Sequence, residues 1–329
     1  MAKTSYKKFT RRAQTPKFWL RPRDVEIITN IADYRFLDTR QIATLHTNGK
    51  VTRNLQRRLF YLFNAGYLDR PPQQVALGII QAALSVEQEK RVESDNLFDV
   101  RPQHFIYALG NKGAALLRDH KPELKSRVSW LDKNRAVGYP QLWHTMMISK
   151  FRVALVQALK NHKTAELLEW RQGDDVRDYV KVKTATGKYR RIPVNPDGFF
   201  IIKDGNDKLP FFLEADRSTM DHGRFLDKMS AYWRWYREKG HEKKFNIKKF
   251  RVLTITKTEA RNQNLRATTK QADTKKIGSL MFLFACERQY ALDRPEILRS
   301  DRAFFGGESS REGEGERNDC AKKFHKLAN

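Results

Sequence analysis

Apolar residues recur with a helical period in three successive segments near the start of the chain. The stretches "RDVEIITNIADYRFL" and "DTRQIATLH" each predict a helix, the first capped by Asp24 and the second by Asp38 or Thr39. A third stretch, "KVTRNLQRRLFYLFNAGYLDR", carries one apolar stripe through Leu55 and Leu59. Two apolar runs, "NAGYL" and "HFIYALG", then indicate paired strands. Three helices followed by two strands predict a winged helix-turn-helix.

The polar face of the third helix indicates a surface for nucleic acid. Side chains on that face can donate hydrogen bonds to phosphates and to base edges in a major groove. They are Thr52, Arg53, Gln56, Arg57 and Arg58. We therefore expect this helix to bind double-stranded DNA. The alternatives for the same three helices are a packing module or a dimerisation domain, and the sequence leaves a homodimer open.

The second half of the chain mixes helical and strand patterns. The stretch "LWHTMMISKFRVALVQALKNH" predicts a long amphipathic helix, and "AELLEW" predicts a short strand. Two hairpins are predicted, one from "YVKVKT" and "KYRRIPV" and one from "DGFFII" and "PFFLEAD". The helix "MDHGRFLDKMSAYWRWYREK", with Phe225, Met229 and Trp233 inward, is followed by the strand "FRVLTIT", the basic helix "EARNQNLRATTKQ" and the strand "LMFLFAC". The whole order predicts an α+β fold, with a mixed sheet in its second half.

The net charge of the chain indicates which class of molecule it binds. Lysine and arginine number 64 against 38 aspartate and glutamate residues, a formal net charge of +26. This excess favours a polyanion, and we expect double-stranded DNA. A ribosome-associated protein, or charge that serves only solubility, is the alternative.

Cysteine usage and hydropathy indicate the compartment. Cys286 and Cys320 show no zinc or disulfide spacing. No apolar stretch reaches the roughly 18 residues of a membrane helix, and the first residues lack the apolar core of a secretory signal. We expect a cytoplasmic protein, associated with the nucleoid or a plasmid, that has no membrane contact.

A length of 329 residues suits about two domains with accessory segments. The predicted segments are a basic disordered arm (1–22), a winged helix domain (23–120), a connector (121–140), a nuclease-like domain (141–300) and a disordered tail (301–329). Residues 73–100 form an insertion between the two wing strands, with two basic against five acidic residues. Because an acidic wing would repel phosphates, we expect this insertion to face away from DNA, either toward a protein partner or as a solvated loop.

Acidic residues on the second hairpin suggest a metal site. If the hairpin turns near Gly205, Asp197 lies roughly opposite Asp216, and Glu214 shares that face because strand side chains alternate. Carboxylates this close are unfavourable unless they are protonated, paired with cations or bridged by a metal ion. Oxygen ligands of this kind suit Mg²⁺ or Mn²⁺, which could promote phosphodiester hydrolysis. The predicted metal ligands are Asp197, Glu214 and Asp216.

These motifs resemble two known groups of proteins. The order helix, strand, "PDGFF", "FFLEAD", helix, strand resembles the core of the PD-(D/E)xK nucleases, a restriction-endonuclease-like fold. A winged helix joined to "WLDKNRAVGYPQLWHTMMISKFRVAL", then to "PDG" and "EADRST", resembles the replication-relaxation family of plasmid and mobile-element proteins. The second resemblance covers most of residues 20 to 290.

The nuclease resemblance implies a catalytic set formed by Asp197, Glu214, Asp216 and Lys228. The nuclease pattern has lysine two residues after its second acidic residue, and this chain has Asp216 there. Lys228, on the following helix, is the candidate for a displaced lysine. Arg217 has strand parity toward the other face. Glu166 or Glu169, on the first core strand, could add a carboxylate.

Three functions follow from these expectations. The first is a DNA-binding protein of a plasmid, phage or other mobile element that acts in replication, mobilisation or transcription control, with a nuclease-like domain as scaffold or clamp. The second is a metal-dependent DNA endonuclease directed by its winged helix. The third is an assembly factor that recruits a replication or transfer protein through residues 73–100.

Overall fold

The computed structural model describes residues 9–14, 17–74, 104–121, 129, 131–183, 186–218, 220–272 and 281–292. Contacts between Cα atoms divide the chain into two compact units, 1–157 and 158–329. Nearly all of the insertion predicted at 73–100, much of the connector and the whole predicted tail lie outside the described residues.

The first unit combines helices with a small sheet. Its described helices are α1 (Pro22–Tyr34), α2 (Thr39–His46), α3 (Arg53–Asn64), α4 (Asn111–His120), α5 (Leu131–Arg135) and α6 (Tyr139–Lys160), the last of which ends in the second unit. Its strands are β1 (Leu37–Asp38), β2 (Leu68–Asp69) and β3 (Ile106–Leu109). Strand β3 lies between β1 and β2 and is antiparallel to both.

Polar side chains fix where the first helices begin. Asp38 caps α2, because its carboxylate accepts from Gln41 N at 2.8 Å while Gln41 Oε1 accepts from Asp38 N at 2.8 Å. The hydroxyl of Thr52 caps α3 by accepting from Leu55 N at 3.2 Å. The predicted cap Asp24 instead lies inside the first turn of α1, where its carboxylate accepts from Arg21 N at 2.8 Å.

Part of the predicted N-terminal arm packs on the C-terminal end of α3. Arg11 Nε donates to the carbonyl of Phe63 at 2.9 Å, and Arg12 N donates to Asn64 Oδ1 at 2.9 Å. The guanidinium of Arg12 lies 4.7 Å from the centre of the Phe60 ring. These two arginines are therefore held by the first unit.

Helix α6 is buried around much of its circumference. Residues 145–149 and 151–155 are all buried, whereas an amphipathic helix would alternate between buried and exposed faces. Ser149 Oγ donates to the carbonyl of Tyr34 at 3.1 Å, and Arg152 Nη2 pairs with Asp33 Oδ2 at 2.5 Å. These bonds join α6 to the C-terminal end of α1, so the prediction of a one-sided helix is wrong.

The second unit contains a five-stranded mixed sheet and a separate two-stranded sheet. The strands are β4 (Ala165–Arg171), β5 (Asp178–Lys183), β6 (Tyr189–Val194), β7 (Gly198–Asp204), β8 (Asp207–Asp216), β9 (Arg251–Thr256) and β10 (Phe282–Cys286). The helices are α7 (His222–Arg237), α8 (Gly240–Phe245) and α9 (Glu259–Ala272), and short 3₁₀ helices span Gly173–Val176 and Glu287–Tyr290.

The large sheet has the order β10-β9-β8-β7-β4. Strands β4, β7 and β8 are antiparallel neighbours, while β9 runs parallel to β8 and β10 runs parallel to β9. Strands β5 and β6 form the two-stranded hairpin. The predicted α+β class and the predicted mixed sheet are confirmed.

Aromatic side chains of α7 complete the core of the second unit. Phe225, Met229, Tyr232 and Trp235 are at most 2% exposed, whereas Trp233 is only half-buried. At 100° per residue, repeated steps of four rotate around the helix, while steps of four, three and three stay on one face. Trp233 therefore lies at the edge of the buried face, where it packs against the core beside Phe282, while Tyr232 and Trp235 occupy the centre.

Within the described residues, no helix is both long and apolar enough to cross a membrane.

Candidate functional site

The β7–β8 hairpin brings two of the predicted carboxylates level with each other. Its tight turn contains Gly205, whose φ of 58° suits glycine. Asp197 N donates to Leu213 O at 2.8 Å, so Asp197 lies beside Glu214 and not opposite Asp216. The predicted register is wrong by two residues, but an even shift leaves the side chains on the same face.

Glu214 is the most enclosed carboxylate of the cluster, at 3% exposure. Its Oε2 accepts from Lys228 Nζ, and its Oε1 accepts from the hydroxyl of Tyr232 at 2.5 Å. Burial raises the pKa of Glu214 to about 7, with Lys228 opposing this shift and Asp197 adding to it. Near neutral pH, both the protonated and the ionised form of this carboxyl are therefore populated.

Helix α7 delivers both partners of Glu214. The helix begins after Asp221, whose carboxylate accepts from Arg224 N at 2.8 Å. Lys228 and Tyr232 lie four residues apart and thus on one face of the helix. Burial alone would lower the pKa of Lys228, but the charges of Glu214 and the other two carboxylates outweigh it and raise that pKa. Lys228 is therefore the cation of the cluster.

Asp216 has a different cation as its partner. Arg261, near the start of α9, donates from Nε to Asp216 Oδ1 at 2.8 Å and from Nη2 to Asp216 Oδ2 at 3.0 Å. Ser218 N also donates to Oδ1 at 2.8 Å, and Arg261 Nη2 reaches the carbonyl of Met220 at 2.5 Å. The position that carries lysine in the nuclease pattern is thus occupied by a buried aspartate, and Arg261 binds this aspartate through two hydrogen bonds.

Existing donors already occupy the predicted metal ligands. Both oxygens of Glu214 and both oxygens of Asp216 accept hydrogen bonds, and Asp197 Oδ2 accepts from Ala215 N at 2.8 Å. Among the described residues, no group of three or more His, Cys, Asp and Glu side chains is arranged to hold a metal ion. The side chains as placed form an ion-pair cluster and do not fit a preformed metal site, so metal binding here stays a prediction.

Two further predicted carboxylates lie on β4 with their own cations. Glu166 pairs with Lys203 at 3.0 Å, and Glu169 pairs with Arg171. Residue 166 lies near the β7–β8 turn, at the other end of the sheet from Asp197. These contacts do not bring Glu166 or Glu169 to the cluster.

Helix α3 presents part of its predicted DNA-binding face to solvent. Thr52, Arg53 and Arg57 are exposed, and Gln56 is half-buried. Arg58 instead pairs with the buried Asp24 and donates to the carbonyl of Trp19 at 2.9 Å. Because these bonds hold its guanidinium within the unit, we leave Arg58 out of the candidate DNA surface.

Two residues of the carboxylate cluster were missed by sequence reasoning. Tyr232 could have been found, because it follows Lys228 by one helical turn on the same face. Arg261 lies 45 residues from its partner Asp216. No local pattern marks such a contact, which depends on how α9 crosses the sheet.

Taken together, the described residues form an α+β protein with a basic helical first unit and a second unit whose sheet carries a buried carboxylate–lysine cluster. Residues 28–248, more than half of the chain, match the family model described as replication-relaxation. The chain belongs to the replication-relaxation family. No curated protein and no solved structure gives a significant match.

Proposed function

We propose that this protein binds double-stranded DNA of a plasmid, phage or other mobile element and acts in its replication, mobilisation or transcription control. Membership of the replication-relaxation family suggests a role related to plasmid replication. The observation that carries DNA binding is the exposed pair Arg53 and Arg57 on α3. These residues lie one helical turn apart, a spacing that lets both reach one phosphate backbone or groove.

The surroundings of α3 support its proposed role as a recognition helix. It follows α2 after a turn in which Asn48 and Gly49 have φ values of 50° and 79°. Strands β2 and β3 then pair antiparallel, as the strands of a wing would. The apolar stripe of α3 is anchored by Leu55, Leu59 and Leu62, which are at most 2% exposed. In a winged helix-turn-helix, this arrangement presents the opposite face to a major groove.

The second unit supports a role as scaffold or clamp. Strands β4, β7 and β8, helix α7 and strand β9 follow one another in the order that the nuclease resemblance implies, with β5, β6 and α8 inserted between them and β9 parallel to β8. Its acidic residues are nonetheless satisfied by Lys228, Tyr232 and Arg261. A network in which these acidic groups already have partners can stabilise the sheet and requires no catalytic role.

A metal-dependent endonuclease is the second candidate, favoured by the contact between Lys228 and Glu214. Lysine beside an acidic ligand is the pairing that the nuclease pattern requires, here supplied from a helix. Asp197, Glu214 and Asp216 would hold Mg²⁺ or Mn²⁺ only if the ion displaced existing donors. The ion would supply an activated water for phosphodiester hydrolysis.

A nicking assay on supercoiled plasmid separates these two candidates. Cutting by wild type with Mg²⁺ or Mn²⁺, lost in Asp197→Ala and Glu214→Ala while DNA binding persists, would establish the nuclease. No cutting with either ion would leave the scaffold role. A protein partner at residues 73–100 remains a prediction, since nearly all of that segment lies outside the described residues.

Fluorescence anisotropy with labelled duplex DNA tests the proposed binding surface. We expect Arg53→Ala/Arg57→Ala to weaken duplex binding at least about tenfold, because two phosphate contacts are lost. The matched control is Lys112→Ala/Arg118→Ala, which removes the same charge from exposed positions of α4. Equal weakening by both pairs would show that net charge alone drives binding, and α3 would not be the recognition helix.

A further inference from the structure

The hairpin β5–β6 has two unlike faces. One face joins the core through Val180 and Val194, each 1% exposed. Trp235 Nε1 also donates to Asp178 Oδ2 at 2.8 Å, which fixes the first residue of β5 to α7. These contacts hold one face of the hairpin against the core and leave its second face to solvent.

That second face combines exposed aromatic rings with cations. The register pairs Tyr179 with Pro193, Lys181 with Arg191, and Lys183 with Tyr189, and directly paired residues share a face. All six residues are exposed. Tyr179 is 42% exposed and Tyr189 is 70% exposed, so both rings are accessible from solvent. No acidic residue interrupts these six positions.

An arginine and a tyrosine contact each other within this face. The guanidinium carbon of Arg191 lies 4.6 Å from the centre of the Tyr179 ring. Such a cation–π contact holds both planar groups in place and keeps the arginine charge at the surface. Tyr189 supplies a second ring at the far end of the hairpin, with Lys181 and Lys183 on the strand beside it.

We propose that this face of the β5–β6 hairpin binds single-stranded DNA. Exposed rings offer stacking surfaces to unpaired bases, and the three cations beside them can follow the phosphates. Bases of a duplex are already stacked on one another and cannot use the rings in this way. The absence of acidic side chains on the face excludes the charge pairing expected with a basic protein partner. The site goes beyond duplex binding by α3 and does not depend on it.

Anisotropy with a labelled oligothymidine, measured on the full chain, tests the stacking role. We expect Tyr179→Ala/Tyr189→Ala to weaken single-strand binding at least about thirtyfold, because two stacking contacts are lost and each contributes at least about 1 kcal/mol. Tyr179→Phe/Tyr189→Phe keeps both rings and should bind like wild type. Duplex affinity should change less than twofold in either variant. An unchanged single-strand affinity in the alanine pair, or an equal loss on duplex, would overturn the proposal.

Substitution of the cations tests the phosphate contacts. Lys181→Gln/Lys183→Gln/Arg191→Gln should lower the slope of log K against log salt for single strands by about 2, from about 0.7 for each contact. The control Lys160→Gln/Lys163→Gln/Lys208→Gln removes the same charge from exposed positions near the β7–β8 turn. Equal changes of slope in both triple variants would overturn the assignment to the hairpin.

These assays test the two proposed DNA surfaces independently of each other. Arg53→Ala/Arg57→Ala should lose duplex binding and keep oligothymidine binding, while the tyrosine pair should show the reverse. All substituted hairpin side chains are exposed, so the melting temperature should stay at the wild-type value and exclude unfolding as the cause of lost binding.

Discussion

Replacing Lys228 with methionine perturbs the centre of the carboxylate cluster. The substitution keeps most of the side-chain volume but removes the cation from Glu214, which is 3% exposed. Loss of one partner from a buried ion pair costs about 3 kcal/mol, because the other charge stays buried without compensation. Glu214 can avoid this cost by taking up a proton, so the loss of stability caused by Lys228→Met must depend on pH.

The sign of this dependence follows from the raised pKa of Glu214. In the folded protein burial raises the pKa to about 7, against an ordinary value of 4.5. The stability contributed by this group is therefore fully present below pH 4.5 and is lost as pH rises through 7. Lys228→Met should raise the pKa of Glu214 further, because the nearby cation that lowers it is gone.

We expect Lys228→Met to reduce the free energy of unfolding by about 1 kcal/mol at pH 5.5 and by about 3 kcal/mol at pH 8.5. At the lower pH, Glu214 is protonated in both proteins and only a hydrogen bond is lost. Urea unfolding followed by tryptophan fluorescence measures both values. Glu214→Gln added to Lys228→Met should recover most of the loss at pH 8.5.

Exposed Lys208 provides the control for this series. Lys208→Met should change stability by no more than about 0.5 kcal/mol at either pH. An equal loss for Lys228→Met at both pH values, or a larger loss at pH 5.5, would refute the reasoning about Glu214.

Two further predictions concern packing in each unit. Arg261→Gln should destabilise the second unit by about 3 kcal/mol in urea unfolding, because it leaves the buried Asp216 without its cation, and Arg261→Lys should recover only part of this loss because lysine cannot form both bonds; wild-type stability in Arg261→Gln would contradict the pairing. In the first unit, Gly113→Ala should cost about 1–3 kcal/mol in thermal unfolding, because its Cβ would overlap the carbonyl oxygen of Tyr67. Gly138→Ala should be nearly neutral, because its Cβ would lie 3.8 Å from Pro140 Cδ, an ordinary van der Waals distance. Equal effects of the two glycine substitutions would contradict this close approach.

Local patterns were enough to predict most of the described elements. The spacing of apolar residues predicted helix α3 and strands β7 and β8. In each of these elements, a few adjacent residues are enough to show whether one face or both faces are buried. The short elements β1 and α8 were missed, because neither has enough positions to carry a recognisable apolar pattern.

Sequence reasoning identified the residues of the site only where elements adjacent in sequence bring them together. Lys228 was identified because α7 directly follows β8, and the structure places it on Glu214. The pairing of Asp216 with Arg261 depends on the path of α9 across the sheet and has no local signature. The same holds for Arg58, since its buried partner Asp24 lies on another helix.

The salt dependence of duplex binding is the most direct test that α3 is the DNA-binding helix. Each phosphate contact adds about 0.9 to the slope of log K against log salt, so Arg53→Ala/Arg57→Ala should lower the slope by about 2. Lys112→Ala/Arg118→Ala should leave the slope at its wild-type value. An unchanged slope in Arg53→Ala/Arg57→Ala would show that duplex DNA does not contact α3.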